Sequence, residues 1–211
     1  MKYALGVFVG TLVLAGCGSV RYPANYVLNL QPPTARVAPS NGPLGALAVR
    51  EFRCPEYLCE GRIVYRSGPE EVGFYEYHRW AMDPRHAITE YLQEGLRAQS
   101  LFKSVGLQGS DSEPEYVLSG SIERLEEVDE GRDVRAVCTI SAQLLDARTR
   151  SLVWSNTASQ TVPVEKRDMR GVVGSLSAAA QTAADRLLQS MVGQLAAPTR
   201  LEATNQGMPP R

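Results

Sequence analysis

The sequence predicts an α+β fold of two layers, a mainly antiparallel or mixed sheet with two amphipathic helices packed on it. Three segments carry that expectation. Over residues 133–146, Val134, Ala136, Cys138, Ile140, Ala142 and Leu144 fall on one side. Arg135, Thr139, Ser141 and Gln143 fall on the other, with Val137 and Leu145 as exceptions, so a half-buried strand is expected. Behind Asp83-Pro84, an N-cap followed by a proline suited to the first helical position, Ile88, Leu92 and Leu96 make a one-faced stripe over about 84–100. Behind Asp168, Met169, Val172, Leu176, Ala180, Ala183, Leu187, Met191 and Leu195 step by three or four, giving a second helix whose alanines suit close packing on a sheet.

The elements before these are read in chain order. Residues 1–16 (MKYALGVFVGTLVLAG) have one cation, Lys2, and an apolar run from Ala4 to Ala15. That run suits a signal peptide and is short of the ~20 apolar residues a membrane-spanning helix needs. Leu14-Ala15-Gly16-Cys17 has the form of a bacterial lipobox. Small residues stand beside the cut, and the Cys17 thiol is the nucleophile that accepts diacylglycerol. Two or three acyl chains, palmitate among them, anchor stably where one does not. The alternative is an ordinary cleaved signal with a chance cysteine. Gly18-Ser19 lacks the Asp that favours inner-membrane retention in Gram-negative lipoproteins, so the expected address is the outer membrane, facing the periplasm.

Residues 17–43 read as a lipidated cysteine and a Pro/Gly/Asn/Ser-rich tether, with a short strand expected at 26–30 from the alternation of Tyr26, Leu28 and Leu30. A single domain is expected over 44–196. Its strands fall at 44–52, 62–66 and 72–80 before the first helix. After a loop at 106–114, a meander follows at 116–128, 133–146 and 151–162, with its first turn at Asp129-Glu130-Gly131. Residues 197–211 carry no period and are expected to be disordered.

Composition excludes several functions. In 211 residues, 22 Lys+Arg balance 23 Asp+Glu, and the net charge of −1 gives no nucleic-acid footprint. The 44% hydrophobic content supports a real core. His78 and His86 lack metal-ligand spacing, and neither a G-x-S-x-G elbow nor a glycine-rich phosphate loop is present. The acidic run 123–133 lacks the pattern of a calcium loop and reads as a solvated hairpin tip. No cofactor is expected beyond the lipid on Cys17, and the chain is not expected to be an enzyme.

The cysteines sort by compartment. Cys54 and Cys59 bracket a short loop and are a candidate disulfide in an oxidising periplasm, with two reduced thiols as the alternative. Cys138 reads as a buried small hydrophobe. Tyr57, Leu58, Phe74, Tyr75, Tyr77 and Trp80 form an aromatic-rich region that is either core or a partner surface; Tyr57, Tyr77 and Trp80 are the candidates for the surface.

A lipobox, the Tyr26-Val27-Leu28 segment, Arg79-Trp80-Ala81 directly before the Asp83-Pro84 helix start, and Leu152-Val153-Trp154 after a tight turn together resemble the ABC-type transport auxiliary lipoproteins, the PqiC-like group. The resemblance spans about 17–195. It implies a non-enzymatic accessory role in lipid traffic, docking an MCE-domain protein and, through it, an ABC permease and ATPase, in support of outer-membrane integrity. It also makes a homo-oligomer plausible. A lipoprotein assisting lipopolysaccharide export or a secretion channel is the alternative, and a periplasmic hydrolase stands further off.

Overall fold

The structure is a computed structural model and describes residues 22–32, 42–109 and 113–196. The signal peptide at 1–16, Cys17 and the tail at 197–211 lie outside the described residues. The strands are β1 (Ala24–Tyr26), β2 (Leu44–Val49), β3 (Arg62–Arg66), β4 (Val72–Trp80), β5 (Phe102–Leu107), β6 (Tyr116–Glu130), β7 (Asp133–Asp146) and β8 (Leu152–Pro163). The helices are α1 (Glu56–Cys59), α2 (Pro84–Ala98) and α3 (Met169–Leu195). All eight strands join one mixed, open sheet with the helices packed on it, the α+β class the sequence predicts.

The sheet is built on β6. Along one edge it pairs antiparallel with β7 from Tyr116↔Asp146 to Glu130↔Asp133, and β7 pairs antiparallel with β8. The Gly131-Arg132 turn closes the first hairpin, with Gly131 at φ +77° and its N–H donated to Asp129 Oδ1 at 2.8 Å. Along its other edge β6 takes two parallel partners. β2 pairs with its start (Leu47↔Tyr116) and β3 with its end (Val64↔Glu126). Beyond β2 lies β5, and beyond β3 lie β4 and then β1, so the sheet forks.

Both long helices start where their caps require. Asp83 Oδ1 accepts the Arg85 N–H at 2.9 Å with Pro84 in the first turn, and Asp168 Oδ1 accepts the Gly171 N–H at 2.8 Å. The stripe Ile88, Leu92 and Leu96 is fully buried. The 27 residues of α3 make a rod of ~40 Å lying over β7 and β8. Ala179, Ala180, Ala183 and Ala184 have no exposed surface, and their small side chains let the helix lie close to the strands. They share one core with Cys138, Ile140 and Leu144 of β7 and Trp154 of β8. Gly120 serves another close contact: a β-carbon there would run into the ring of Phe52, in the connection between β2 and α1.

Three differences from the sequence reading have physical causes. The strand expected at 26–30 lies at Ala24–Tyr26, because Leu28 and Leu30 reach the core by crossing the helix layer rather than by joining the sheet. Residues 22–32 are therefore held on the domain instead of serving as tether. β5 lies mostly in a stretch assigned to no element and reaches the expected loop only at Gly106 and Leu107; its burial pattern shows no alternation. The four-residue α1 sits inside the Cys54–Cys59 loop, too short for any period.

Candidate functional site

Polar groups converge where β4 and β6 meet the start of α3. An irregularity in β6 between Ile122 and Arg124 leaves Glu123 unpaired and exchanges the faces of the residues beyond it. Before it, Leu118 and Ile122 oppose Leu144 and Ile140 on the helix side. After it, Leu125 opposes Cys138 and Glu127 opposes Ala136, so a carboxylate enters the helix side of the sheet. Glu127 is buried and accepts the Tyr75 hydroxyl at 2.8 Å. Burial raises the Glu127 carboxyl above its ordinary range, and the Tyr75 hydrogen bond offsets only part of this. Burial, then the hydrogen bond to Glu127, raises the Tyr75 phenol. These two residues line a cavity of about 320 Å³ with His78, Asp129, Arg167 and Met169. Arg167 donates to the carbonyls of Gly131 and Arg132, tying the hairpin turn to the approach of α3. Tyr26 Oη lies 3.3 Å from His78 Nδ1, and the His78 ring stands edge-on to Tyr75.

The opposite face of the sheet is hydroxyl-rich. Ser119, Ser121, Ser141, Ser155 and Thr157 line a shallow hollow of about 320 Å³ with Arg53 at its side. Further along, Glu126 has no exposed surface and is held by both nitrogens of an Arg66 fork at 3.0 and 3.1 Å. Arg124 adds two contacts, at 2.7 and 2.6 Å. Such an arrangement fixes β3 against β6; it offers no nucleophile beside a base. Among the described residues no group of three or more His, Cys, Asp or Glu is placed to hold a metal ion.

The N-terminal segment is bound at this same end. β1 pairs in parallel with the end of β4, Ala24↔His78 to Tyr26↔Trp80. The chain then crosses α3 as a strap. The Asn29 N–H donates to Ser177 Oγ and the Gln31 N–H to Gln181 Oε1, both at 3.0 Å. Ser177 and Gln181 lie one helical turn apart, which matches two alternate amides of an extended chain.

The residues singled out in the sequence are dispersed. Trp80 is 8% exposed and belongs to the core rather than to an exposed aromatic surface. Tyr57 and Tyr77 are half-buried, Tyr57 within α1 and Tyr77 on β4. Cys54 and Cys59 stand with Cα atoms 6.3 Å apart, within bridging distance. Cys138 is fully buried, which pushes its thiol up to about 12. His86 is exposed, 3.9 Å from Glu51. The acidic run expected to be a solvated tip holds two buried carboxylates, Glu126 and Glu127. Only the residue skipped at the bulge could have revealed them, and acidic residues at consecutive positions mask that shift.

These features define an α+β domain whose N-terminal segment is fastened across its own helix layer, with polar hollows on both faces of one sheet. The chain belongs to the ABC-type transport auxiliary lipoprotein component family, whose model matches residues 26–187. Comparison with curated proteins finds no match. Among solved structures, a Xanthomonas campestris protein is similar at a TM-score of 0.68 and 18% identity, over 81% of this chain and 97% of that one. An uncharacterised protein is similar at 0.62 and 14% identity, over 81% and 99%. At these identities the likeness is one of fold.

Proposed function

We propose that this chain is a non-enzymatic lipoprotein, anchored through Cys17 in the outer membrane and facing the periplasm, that docks an MCE-domain protein of an ABC-type lipid-transport system. Family membership over 26–187 carries the reading, since it makes the chain an auxiliary component of ABC-type transport. The lipobox at 14–17 supports the anchor, and Gly18-Ser19 supports the outer-membrane address. The strap supports a docking role, because it fastens the domain to the segment that leads from the lipid. No described helix is long and apolar enough to cross a membrane, so attachment in this reading rests on the lipid. Half-buried Tyr57 and Tyr77 are the aromatic candidates for partner contact, and the hydroxyl-rich hollow is a second polar surface available to the same partner. Crosslinking in intact cells, followed by identification of the captured chains, tests the partner. An MCE-domain protein is the expected product. Capture of a lipopolysaccharide-export or secretion-channel component instead would overturn the MCE assignment while leaving the anchor intact.

A further inference from the structure

Two of the five large hydrophobic side chains that stand exposed among the described residues, Val27 and Met82, meet at the end of β1, and a third, Tyr22, precedes its start. Tyr22 is 81% exposed, Val27 51% and Met82 44%. Leu107 lies at the end of β5 and Leu152 at the start of β8. Val27 and Met82 are neighbours by backbone geometry. The Ala81 N–H donates to the Tyr26 carbonyl at 2.7 Å, and each of the two residues comes directly after that bond. Single exposed apolar residues are ordinary, whereas a group beside one chain segment calls for a covering surface.

The chain length ahead of this patch names the cover. Cys17 precedes Ala24 by seven residues, which fully extended span at most ~25 Å. α3 alone is a rod of ~40 Å, so a lipid on Cys17 holds β1 nearer the bilayer than the length of its own domain. The charges beside the patch suit phospholipid headgroups. Arg21 lies in the leash, and Arg79 is exposed in register with Asn25. The Asp83 carboxylate at the start of α2 is taken up by the Arg85 guanidinium.

We infer that the β1 edge, through Val27 and Met82, rests on the lipid surface in which Cys17 is anchored, and so fixes which way the domain faces. This rests on the anchoring reading and adds an orientation to it. The occupant is the interfacial layer of a phospholipid bilayer, which takes apolar side chains a few ångströms deep. The two hollows are then carried at a set angle to the membrane instead of turning freely on a leash.

The test uses the full lipidated chain in vesicles of phosphatidylethanolamine and phosphatidylglycerol with brominated acyl chains. Single variants Val27→Trp, Met82→Trp and Leu152→Trp share the native background of buried Trp80 and Trp154. Quenching at positions 27 and 82 is expected to exceed that at 152 by about twofold or more. Equal quenching at all three positions, in protein that floats with the vesicles, overturns the orientation and leaves the anchor standing. Lipidated-chain preparations that do not float overturn the anchor, and the orientation with it.

Discussion

Tyr26 and Trp80 lie side by side in parallel register at the edge of the sheet, and the Tyr26 carbonyl accepts the next amide, that of Ala81. Trp80 is buried in the core that Leu28 of the strap also joins. Leu28 is the strap's apolar pin, 9% exposed in the core. Leu28→Ala is expected to cost about 2 kcal/mol, the low end for a buried leucine because the site is near the surface. Its signature is specific. Emission from Trp80 should shift to the red in the folded variant, whereas Trp154, under α3, should be unaffected. Unchanged emission would mean that Trp80 does not depend on the strap.

Tyr75 and Glu127 give a pH dependence. The Glu127 carboxyl is raised above its ordinary 4.5 in the fold, first by burial. The folded state therefore holds this proton more tightly than the unfolded chain. The stability it contributes is fully present below the unfolded value and is lost as pH rises through the raised one. Glu127→Gln removes that loss, so the variant should gain on the parent when denaturation is compared at about pH 7 and about pH 4. Tyr75→Phe withdraws a donor from a buried carboxylate. It should destabilise by about 1–3 kcal/mol and steepen the same slope. A Glu127→Gln profile parallel to the parent's would refute the assignment.

The contrast between the helices and β6 shows what the sequence could carry. α2 and α3 are legible because Asp83 and Asp168 announce their starts and the apolar steps persist for several turns. β7 is legible because its alternation holds from Val134 to Leu144. Leu145, one of its two exceptions, marks the irregularity in pairing with β8 between Leu144 and Leu145. β6 is less legible, since the bulge at Glu123 exchanges its faces without changing its composition. Glu126 and Glu127 are adjacent and identical in type, yet one meets Arg66 on the open face and the other Tyr75 under the helices. The strap is hidden for another reason. Its amides are satisfied by Ser177 and Gln181, about 150 residues away, and no local pattern reports such a partner.

Gly120 tests the packing of the β2–α1 connection on the sheet. A β-carbon there would collide with the Phe52 ring and lie 2.5 Å from the Ser141 carbonyl. Gly120→Ala should destabilise by about 1–3 kcal/mol as the ring and strand move apart. Phe52→Leu relieves only the ring contact. The double variant should therefore recover part of the loss caused by Gly120→Ala when set against Phe52→Leu alone. Strict additivity in thermal melts would show that the ring is not the obstacle.

Asp83 both caps α2 and pairs with Arg85. Burial alone would raise its carboxyl, but the Arg85 side-chain and backbone hydrogen bonds outweigh that and hold it below 3.8. Its contribution is present above the unfolded value and lost as pH falls through the lowered one. Asp83→Ala should cost about 1 kcal/mol at neutral pH. Asp83→Asn keeps an acceptor for the Arg85 amide, so it should cost less and lose no further stability from this site in acid. Equal losses for the two variants at neutral pH would show that the cap contributes little.

The Cys54–Cys59 loop is an excursion from a strand edge. Arg53 bridges Ser121 and Val64 pairs with Glu126, both parallel to β6. Eleven positions separate Arg53 from Val64, while five separate their partners, so the chain along β6 has six residues to spare. Cys54–Cys59 is a stretch of that length, and its ends stand 6.3 Å apart. A disulfide there would pinch off the surplus and let β2, Arg53 and β3 run along β6 almost as one strand. α1 has no side-chain cap and four residues, too few to hold a helix alone. Closing a six-residue loop is worth at most ~2 kcal/mol by chain entropy. The double variant Cys54→Ser with Cys59→Ser should therefore still fold but melt earlier by about that amount. Alkylation of the unfolded protein without reductant should modify Cys138 and spare Cys54 and Cys59. Labelling of both before reduction would show that the loop is held by its strands alone.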